Sequence, residues 1–567
     1  MRRFLAISLC KMLYFAGSRM GRGSSLPGRI ALILYPDVLK SIKLPETIIA
    51  ITGSNGKTST TEMLVRALES CGKSVSWNHE GANQIEGVTT LVLRTATLGG
   101  VVKRDALVFE CDERYTHSIF RFIRPTELVV TNLCRDQLTR NGHHEFVQGC
   151  IQAAIEVAGD DMKLILNADD PYVAMLAGIA NSRENDLSGE TDRSLQYGDN
   201  ENDEIGSSDH NSGSDDGIAG SKAEDFSQNR ETGKRRQSEI RSLELSGVCL
   251  RDEPEMAKWS DEPALKDSAS LHVDSARVIW FGISRDVMLA GSVNSESEKD
   301  MTRSVKTGFT KQARGDDGQF CPECKERLTY DSRVAAHMGA FRCKVCSYCR
   351  PDPDFEATGL DRNTGEVTIA IKPKSPASSS QRESITARLE FPSLTGAYNL
   401  TAAITAASAA GVPAGKAASA LDGYGLKGGR TVRFSVGGHE GILLVSKHEN
   451  SLSYNQSLLW AVSAQKPCTV VILVDSISRK YYTSETSWLW DIDFDILANE
   501  CVKSIVLAGR YVNELMSRFA MSETGLDKVC CVASLDDLHD VVAGCAVGDI
   551  YSITCFSDKA KLLKAFS

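Results

Sequence analysis

The sequence predicts an α/β protein. Its expected core is a doubly wound, mostly parallel sheet with a four-cysteine ribbon inserted into the same domain, followed by a smaller C-terminal α/β domain. Three observations carry this. A unit of buried strand, polar cluster and helix recurs through the first 170 residues. One such unit, Thr47 to Thr61, turns through Gly53 and Gly56 into Lys57-Thr58. Two C-x-x-C pairs, Cys321/Cys324 and Cys343/Cys346, lie eighteen residues apart.

The bulk composition sets limits. At 567 residues the chain exceeds a single core, so two to four domains are expected. Hydrophobic content of 42% and charged content of 24% are those of a globular protein. The net charge of −10 argues against a general nucleic-acid binder. The seventeen cysteines are mostly single residues in apolar runs, which suits a reducing compartment rather than a disulfide scaffold.

The N-terminus, Met1 to Tyr14, has Arg2 and Arg3 before a short apolar run, but Lys11 interrupts it and no clean cleavage site follows. The expectation is an amphipathic helix packed on the first domain, with weak contact to a membrane surface as the alternative. The chain is therefore expected to be cytoplasmic, with the inner membrane surface as a further location. Gly17 to Gly28 reads as a loop, and Ile30 to Leu44 resumes apolar periodicity.

Ile48, Ile49 and Ile51 form a β-branched strand. Gly53 and Gly56 let backbone N–H groups approach a phosphate, Lys57 supplies a cation, and Thr58 a hydroxyl suited to Mg²⁺. Asn55 and Ser59 lie in the same candidate nucleotide-binding stretch. The spacing, Gly53-x-x-Gly56-Lys57-Thr58, is shorter than the usual G-x-x-x-x-G-K-[ST]. The helix after it stops near Gly72, Val75 to Trp77 is a short strand, and Asn78 to Gly87 a loop. Three further strands end in polar clusters. These are Glu110, Asp112 and Glu113; Asn132, Arg135, Asp136 and Gln137; and Asn167, Asp169 and Asp170. Ligands bind at the carboxyl ends of such strands, and Glu110 is placed to hold a metal carried by phosphates.

Arg183 to Ala276 is rich in Ser, Asp, Glu, Asn and Gly and reads as a disordered acidic insertion. Val278 to Ile283 restores the sheet. The cysteine spacing from Cys321 to Cys346 fits a structural zinc ribbon with four cysteine ligands, expected over residues 318–352; a redox pair is the competing reading.

Together, the Gly-Ser-Asn-Gly-Lys-Thr loop, Glu110-Cys-Asp-Glu, Asn132-Leu-Cys-Arg-Asp-Gln-Leu and Leu166-Asn-Ala-Asp-Asp-Pro resemble the central domain of the Mur ligase family. With the ribbon, the chain resembles the MurT-type branch, the synthetase subunits of lipid II isoglutaminyl synthases. Leu394-Thr-Gly-Ala-Tyr-Asn-Leu, with Asn399, resembles the end of that central domain, and Gly429-Arg430 its linker. The expected domains are 1–45, 46–434 and 435–567.

The resemblance implies ATP-dependent phosphorylation of the D-glutamate α-carboxylate in the lipid II stem peptide, then attack by ammonia to give D-isoglutamine. It casts Lys57 and Glu110 as catalytic and Thr58 and Glu110 as Mg²⁺ ligands. Asn132, Arg135 and Asp136 would line the nucleotide or acyl-phosphate side. Other Mur ligases usually carry a lysine on the helix after this region; Glu145 to Val157 has none. No sequence feature resembles a glutaminase, so ammonia is expected from a GatD-type glutamine amidotransferase partner in a heterodimer. In this family a C-terminal-domain Asp is thought to complete the partner's Cys-His pair. Asp491, in Ser487-Trp-Leu-Trp-Asp491, is the candidate and Asp493 the second, with helix capping as the alternative role for both. The family's Lys-Asn-Pro motif is here Lys447-His448-Glu449-Asn450, which marks a divergent branch. A ligase joining an amino acid, or a non-catalytic ATP-binding scaffold, are the competing expectations.

Overall fold

The structure is a computed structural model. It describes residues 1–19, 24–78, 82–134, 144–178, 277–290, 318–335, 337–373, 382–425, 431–447, 450–463, 465–477 and 486–567. The expected acidic insertion, Arg135, Asp136, Gly429-Arg430 and His448-Glu449 lie outside the described residues.

The β-branched run becomes β1 (Thr47–Thr52), buried on both faces from Ile48 onward. That double burial is why it reads as a continuous apolar run instead of an alternating one. Glycine turns and helices lead from it to β2 (Val75–Trp77), β3 (Ala106–Glu110), β4 (Glu127–Val130), β5 (Lys163–Asn167) and β6 (Val278–Ile283). A separate hairpin of β7 (Thr329–Ala335) and β8 (Met338–Arg342) belongs to the ribbon. With β9 (Phe355–Leu360), β10 (Glu366–Ile371) and β11 (Glu383–Arg388), strands β1 to β6 form one nine-stranded sheet, ordered β11-β10-β9-β6-β5-β4-β1-β3-β2. Neighbours from β2 to β9 are parallel, and β10 and β11 are antiparallel at the edge. The chain reverses direction across the sheet at β1, since β3 and β4 flank it. Such a switch point opens a crevice at the strands' carboxyl ends.

Alternate residues feed two cores, one on each face, as a doubly wound sheet requires. Ile48, Ala50, Leu107, Phe109, Leu128 and Leu164 face one side; Ile49, Ile51, Val108, Val129, Ile165 and Phe281 face the other. The first core is covered by α1 (Arg2–Arg19), α2 (Leu26–Leu34) and α4 (Ile85–Thr95). The second is covered by α3 (Lys57–Ser70) and the helix Leu394–Ala409.

A second, six-stranded sheet is ordered β12-β13-β17-β14-β15-β16. It comprises β12 (Thr431–Val436), β13 (His439–Ser446), β14 (Cys468–Leu473), β15 (Val502–Ala508), β16 (Val529–Val532) and β17 (Asp549–Cys555). Only β12 is antiparallel to its neighbour. The described residues of both sheets pack as one unit.

Several boundaries differ from the sequence reading. The first helix runs to Arg19, past the expected Tyr14. The expected loop residues Leu26 to Gly28 begin α2, where Pro27 sits in the first turn and its missing N–H costs nothing. Helix α4 begins at Ile85, inside the expected loop. The second sheet starts at Thr431, four residues before the expected boundary at Ser435.

Glu127, at the start of β4, is buried, and its Oε2 has no hydrogen-bond partner. Burial pushes its carboxyl up to about 7, against the pull of Lys163 and Lys73. The folded state therefore loses stability as pH rises from the unfolded carboxylate range through 7. Glu127→Gln should remove that slope. We expect a relative gain of about 2–3 kcal/mol at pH 8.5 over pH 4 in denaturant melts. A mutant-to-wild-type difference that does not vary with pH would refute the burial effect.

Candidate active site

The loop between β1 and α3 sits at the switch point. Gly53 (φ +126°) and Gly56 (φ +86°) both occupy the left-handed region that other residues rarely adopt. A Cβ on Gly53 would stand 2.2 Å from Thr131 Oγ1, and one on Gly56 2.2 Å from Asn399 Oδ1. Gly56 directly precedes α3, so the loop's N–H groups and the helix's positive end converge.

The loop is braced from below. Asn132 Oδ1 accepts the Asn55 N–H (3.0 Å), and its Nδ2 donates to the Asn55 carbonyl (3.1 Å). Thr131 Oγ1 donates to the same carbonyl at 2.6 Å. Ser54 Oγ accepts from Cys134 N and donates to its carbonyl. Asn132 thus holds the shape of the loop. The Asn55 Nδ2, by contrast, is buried with no hydrogen-bond partner among the described residues, and Asn55 lines the adjoining cleft.

Lys57 is buried, and its Nζ donates to the Gly53 carbonyl and to Glu113 Oε1 (2.6 Å). Thr58 Oγ1 donates to Glu110 Oε2 at 3.1 Å. Asn78 fixes Glu110 through its backbone, accepting from the N–H (2.9 Å) and donating to the carbonyl (3.1 Å). A hydroxyl and a carboxylate, both hard oxygen donors at a helix N-terminus, form a donor set that fits Mg²⁺. Of the sequence candidates, Gly53, Asn55, Gly56, Lys57, Thr58, Glu110 and Asn132 are brought together here, and Ser59 lines the cleft. In sequence Glu113 is simply one of three acids at a strand end. Its contact with Lys57 was not legible, because the sequence does not say which of three neighbouring acids turns inward.

The cleft beside the loop has a volume of about 430 Å³, within the range of small-molecule sites. Its far wall comes from the second sheet's side: Arg433, Ser453, Gln456 and Trp460 face Phe391 and Asn399. Gln456 Oε1 accepts from Thr395 Oγ1. Lys447 Nζ donates to the Ser54 carbonyl at 2.9 Å, so the second sheet's side touches the loop itself.

Asp491 lies elsewhere, half-buried at the end of the short helix Ser487–Asp491, where Asn455 Nδ2 donates to its carbonyl. Asp493 caps the next short helix by accepting from Asp495 N. Burial, and then the charge of Asp495, push the Asp493 carboxyl above its usual range.

The four cysteines of the ribbon place their sulfurs within 4.8 Å of one another. Cys321–Cys346 and Cys324–Cys343 are 3.6 and 3.4 Å apart, too far for disulfides. Tetrahedral Zn–S bonds would set sulfurs about 3.8 Å apart, so the set fits a metal. Burial opposes ionisation of Cys343, but the N–H groups of Cys346 and Val345 and the neighbouring thiols draw it down to about 7. The ribbon hairpin of β7 and β8 packs on the loop after β5. Gly339 N donates to the Asp169 carbonyl, Tyr348 Oη to that of Pro171, and His337 Nε2 lies 3.2 Å from Asp170 Oδ1. Asp170 Oδ2 in turn accepts from Leu133 N at 2.6 Å, next to Asn132.

The family model for the Mur ligase middle domain matches residues 51–215, and that for the MurT ligase C-terminal domain matches 448–555. The chain is 23% identical over 527 residues to the lipid II isoglutaminyl synthase (glutamine-hydrolyzing) subunit MurT of Streptococcus pneumoniae. That match covers 93% of this chain and 88% of the relative. Identity to the Staphylococcus aureus subunit of the same name is 35% over 178 residues, 31% of this chain and 39% of that one. Among solved structures, a pseudomurein peptide ligase type C from Methanothermus fervidus superposes with a TM-score of 0.55 at 18% identity, over 94% of this chain and 80% of that one. MurF from Acinetobacter baumannii gives 0.52 at 12% identity, over 95% and 80%. These two structures establish a shared fold.

Lys57→Ala should abolish binding of a fluorescent nucleoside triphosphate and also lower stability, because Glu113 is left buried without its cation. The double variant Lys57→Ala/Glu113→Gln should recover most of the stability while binding stays at least about 100-fold weaker. Binding restored together with stability would show that Lys57 serves only the fold.

Proposed function

For a chain of the Mur ligase family with a MurT-type C-terminal domain, we propose the synthetase half-reaction of lipid II isoglutaminyl synthesis. The observation that carries it is the Lys57, Thr58 and Glu110 cluster at the foot of a cleft between the two sheets. ATP lies with its phosphates on the Gly53–Thr58 loop and its nucleoside in the cleft, where the buried Asn55 amide awaits a partner.

Thr58 and Glu110 hold Mg²⁺, which supplies neutralising charge to the phosphates. Lys57 moves from Glu113 toward the γ-phosphoryl group, so the cation is available where negative charge spreads in transfer. An oxygen of the D-glutamate α-carboxylate attacks the γ-phosphorus and ADP leaves, giving an acyl phosphate. Ammonia then attacks the acyl carbon, the C–O bond to phosphate breaks, and loss of a proton leaves the primary amide of D-isoglutamine. The helix His144–Ala158 carries no lysine, which suits ammonia as the acceptor-side nucleophile. The ammonia comes from a GatD-type glutamine amidotransferase subunit. Asp491, half-buried beside the exposed Trp490, is the residue offered to that subunit's Cys-His pair. Asp493 is the weaker candidate, since its carboxylate already caps a helix.

The chain co-expressed with its amidotransferase, given lipid II, ATP and glutamine, should yield a product lighter by the difference between a carboxylic acid and its primary amide. A mass gain of one amino-acid residue would instead identify a peptide-forming ligase, and nucleotide binding with no product a scaffold. Zinc is the metal proposed for the four cysteines. Native mass spectrometry should find one zinc per chain, absent in Cys343→Ser. That variant should melt earlier and bind triphosphate several-fold more weakly, because the ribbon supports Asp170 and hence Leu133. Unchanged melting would count against a structural metal.

A further inference from the structure

Helix α1 carries apolar residues on two opposite faces, with Arg2, Arg3, Lys11 and Arg19 interspersed. Ala6, Ile7 and Cys10 are buried on one face, which packs against α2 and α4. The opposite face carries Met1, Phe4, Leu5, Met12 and Phe15, each at least half exposed. At 3.6 residues per turn these five fall within about 100° of the helix circumference. Leu26, Ile33 and Leu34 of the adjoining α2 are exposed too, so half of the sixteen large hydrophobics exposed among the described residues lie in the first 34 positions. A helix with two apolar faces calls for a second cover.

The charge around this stripe indicates which cover. Up to Pro45 the chain has eight Lys or Arg and one Asp, a net +7, whereas the remaining residues carry −17 of the total −10. Arg2, Arg3, Arg19 and Arg29 are exposed on the two helices. Beside the stripe, Lys11, Arg94 and Arg104 line an open cleft with Tyr14, Phe15 and Trp77. Lys11 Nζ donates to the Arg94 carbonyl, and burial lowers its affinity for its proton, a cost that a nearby anion would offset. Apolar side chains flanked by cations of one sign, with a cationic aromatic cleft alongside, suit phospholipid acyl chains and their phosphates. No helix among the described residues is long and apolar enough to cross a membrane.

We infer that the exposed face of α1, with the adjoining residues of α2, docks the protein flat on an anionic bilayer, phosphates entering the Lys11, Arg94 and Arg104 cleft. The inference stands apart from the reaction proposed above, although a lipid-linked acceptor would give the docking a purpose.

The test uses the full chain and vesicles of phosphatidylcholine, alone or mixed with phosphatidylglycerol, without lipid II. The protein should co-sediment with the mixed vesicles, less so in high salt, and only weakly with phosphatidylcholine alone. Phe4→Glu/Phe15→Glu should weaken binding at least about tenfold, and Arg2→Gln/Arg3→Gln/Arg29→Gln by a smaller, salt-sensitive factor. Both variants should keep the parent's melting temperature and triphosphate binding. Failure to sediment with either vesicle, or equal binding to both, would overturn the inference. So would a concentration-dependent dimer, or a complex with the amidotransferase, that the Phe variants abolish. Turnover of detergent-solubilised lipid II should survive in the Phe variants. If vesicle binding holds while the parent gives no amide, the docking stands and the proposed reaction falls.

Discussion

Two adjacent buried carboxylates, Asp169 and Asp170, join most of the elements around the nine-stranded sheet. Asp169 accepts from Ile283 N (2.8 Å) and Tyr398 Oη (2.7 Å), and pairs with Arg350. Asp170 accepts from Leu133, Tyr172 and Val173 N–H groups. Through them the end of β5, the neighbouring β6, the ribbon and the helix Leu394–Ala409 share one set of contacts. Burial raises the Asp169 carboxyl despite Arg350. For Asp170 burial is outweighed by His337 and the backbone donors, which hold it below the usual range. Removing one partner of such a network typically costs about 3–5 kcal/mol. The glycine loop inherits this rigidity: Leu133 is pinned by Asp170, and Asn132 beside it shapes the loop at Asn55.

The same loop forms part of the boundary between the two sheets. Lys447 reaches it from the end of β13, and Thr395 meets Gln456 across the cleft. The cleft wall is thus built from both sheets' sides, so the cleft exists only while both are in place.

The parts legible in the sequence were those whose chemistry is local. Gly53 and Gly56 require positive φ, β1 is apolar throughout because it is central, and the C-x-x-C knuckles close within a few residues. Contacts that depend on tertiary placement were not legible. Lys57 meets Glu113, and Lys447 acts on a carbonyl 393 positions away. The strands β9 to β11 are not legible because each is only partly buried, and polar residues such as Glu356, Thr368 and Glu383 interrupt the apolar run that marks the central strands. The exposed side of α1 was hidden by its composition: with apolar residues on both sides, the sequence alone does not show which side the core takes.

Strands β5 and β6 are hydrogen-bonded neighbours, Leu164 beside Val278, yet 110 residues separate Asn167 from Val278. Closing so long a connection instead of a dozen-residue crossover adds only about 2 kcal/mol of chain entropy, which a sheet of this size absorbs. The larger effect is on timing. At roughly 5–20 residues per second a ribosome needs about 6–20 s to travel from one strand to the next. Through that interval the nascent sheet ends at β5, an open hydrogen-bonding edge. Birth of this protein therefore includes a window in which a chaperone, or a neighbouring nascent chain, can reach that edge before β6 does.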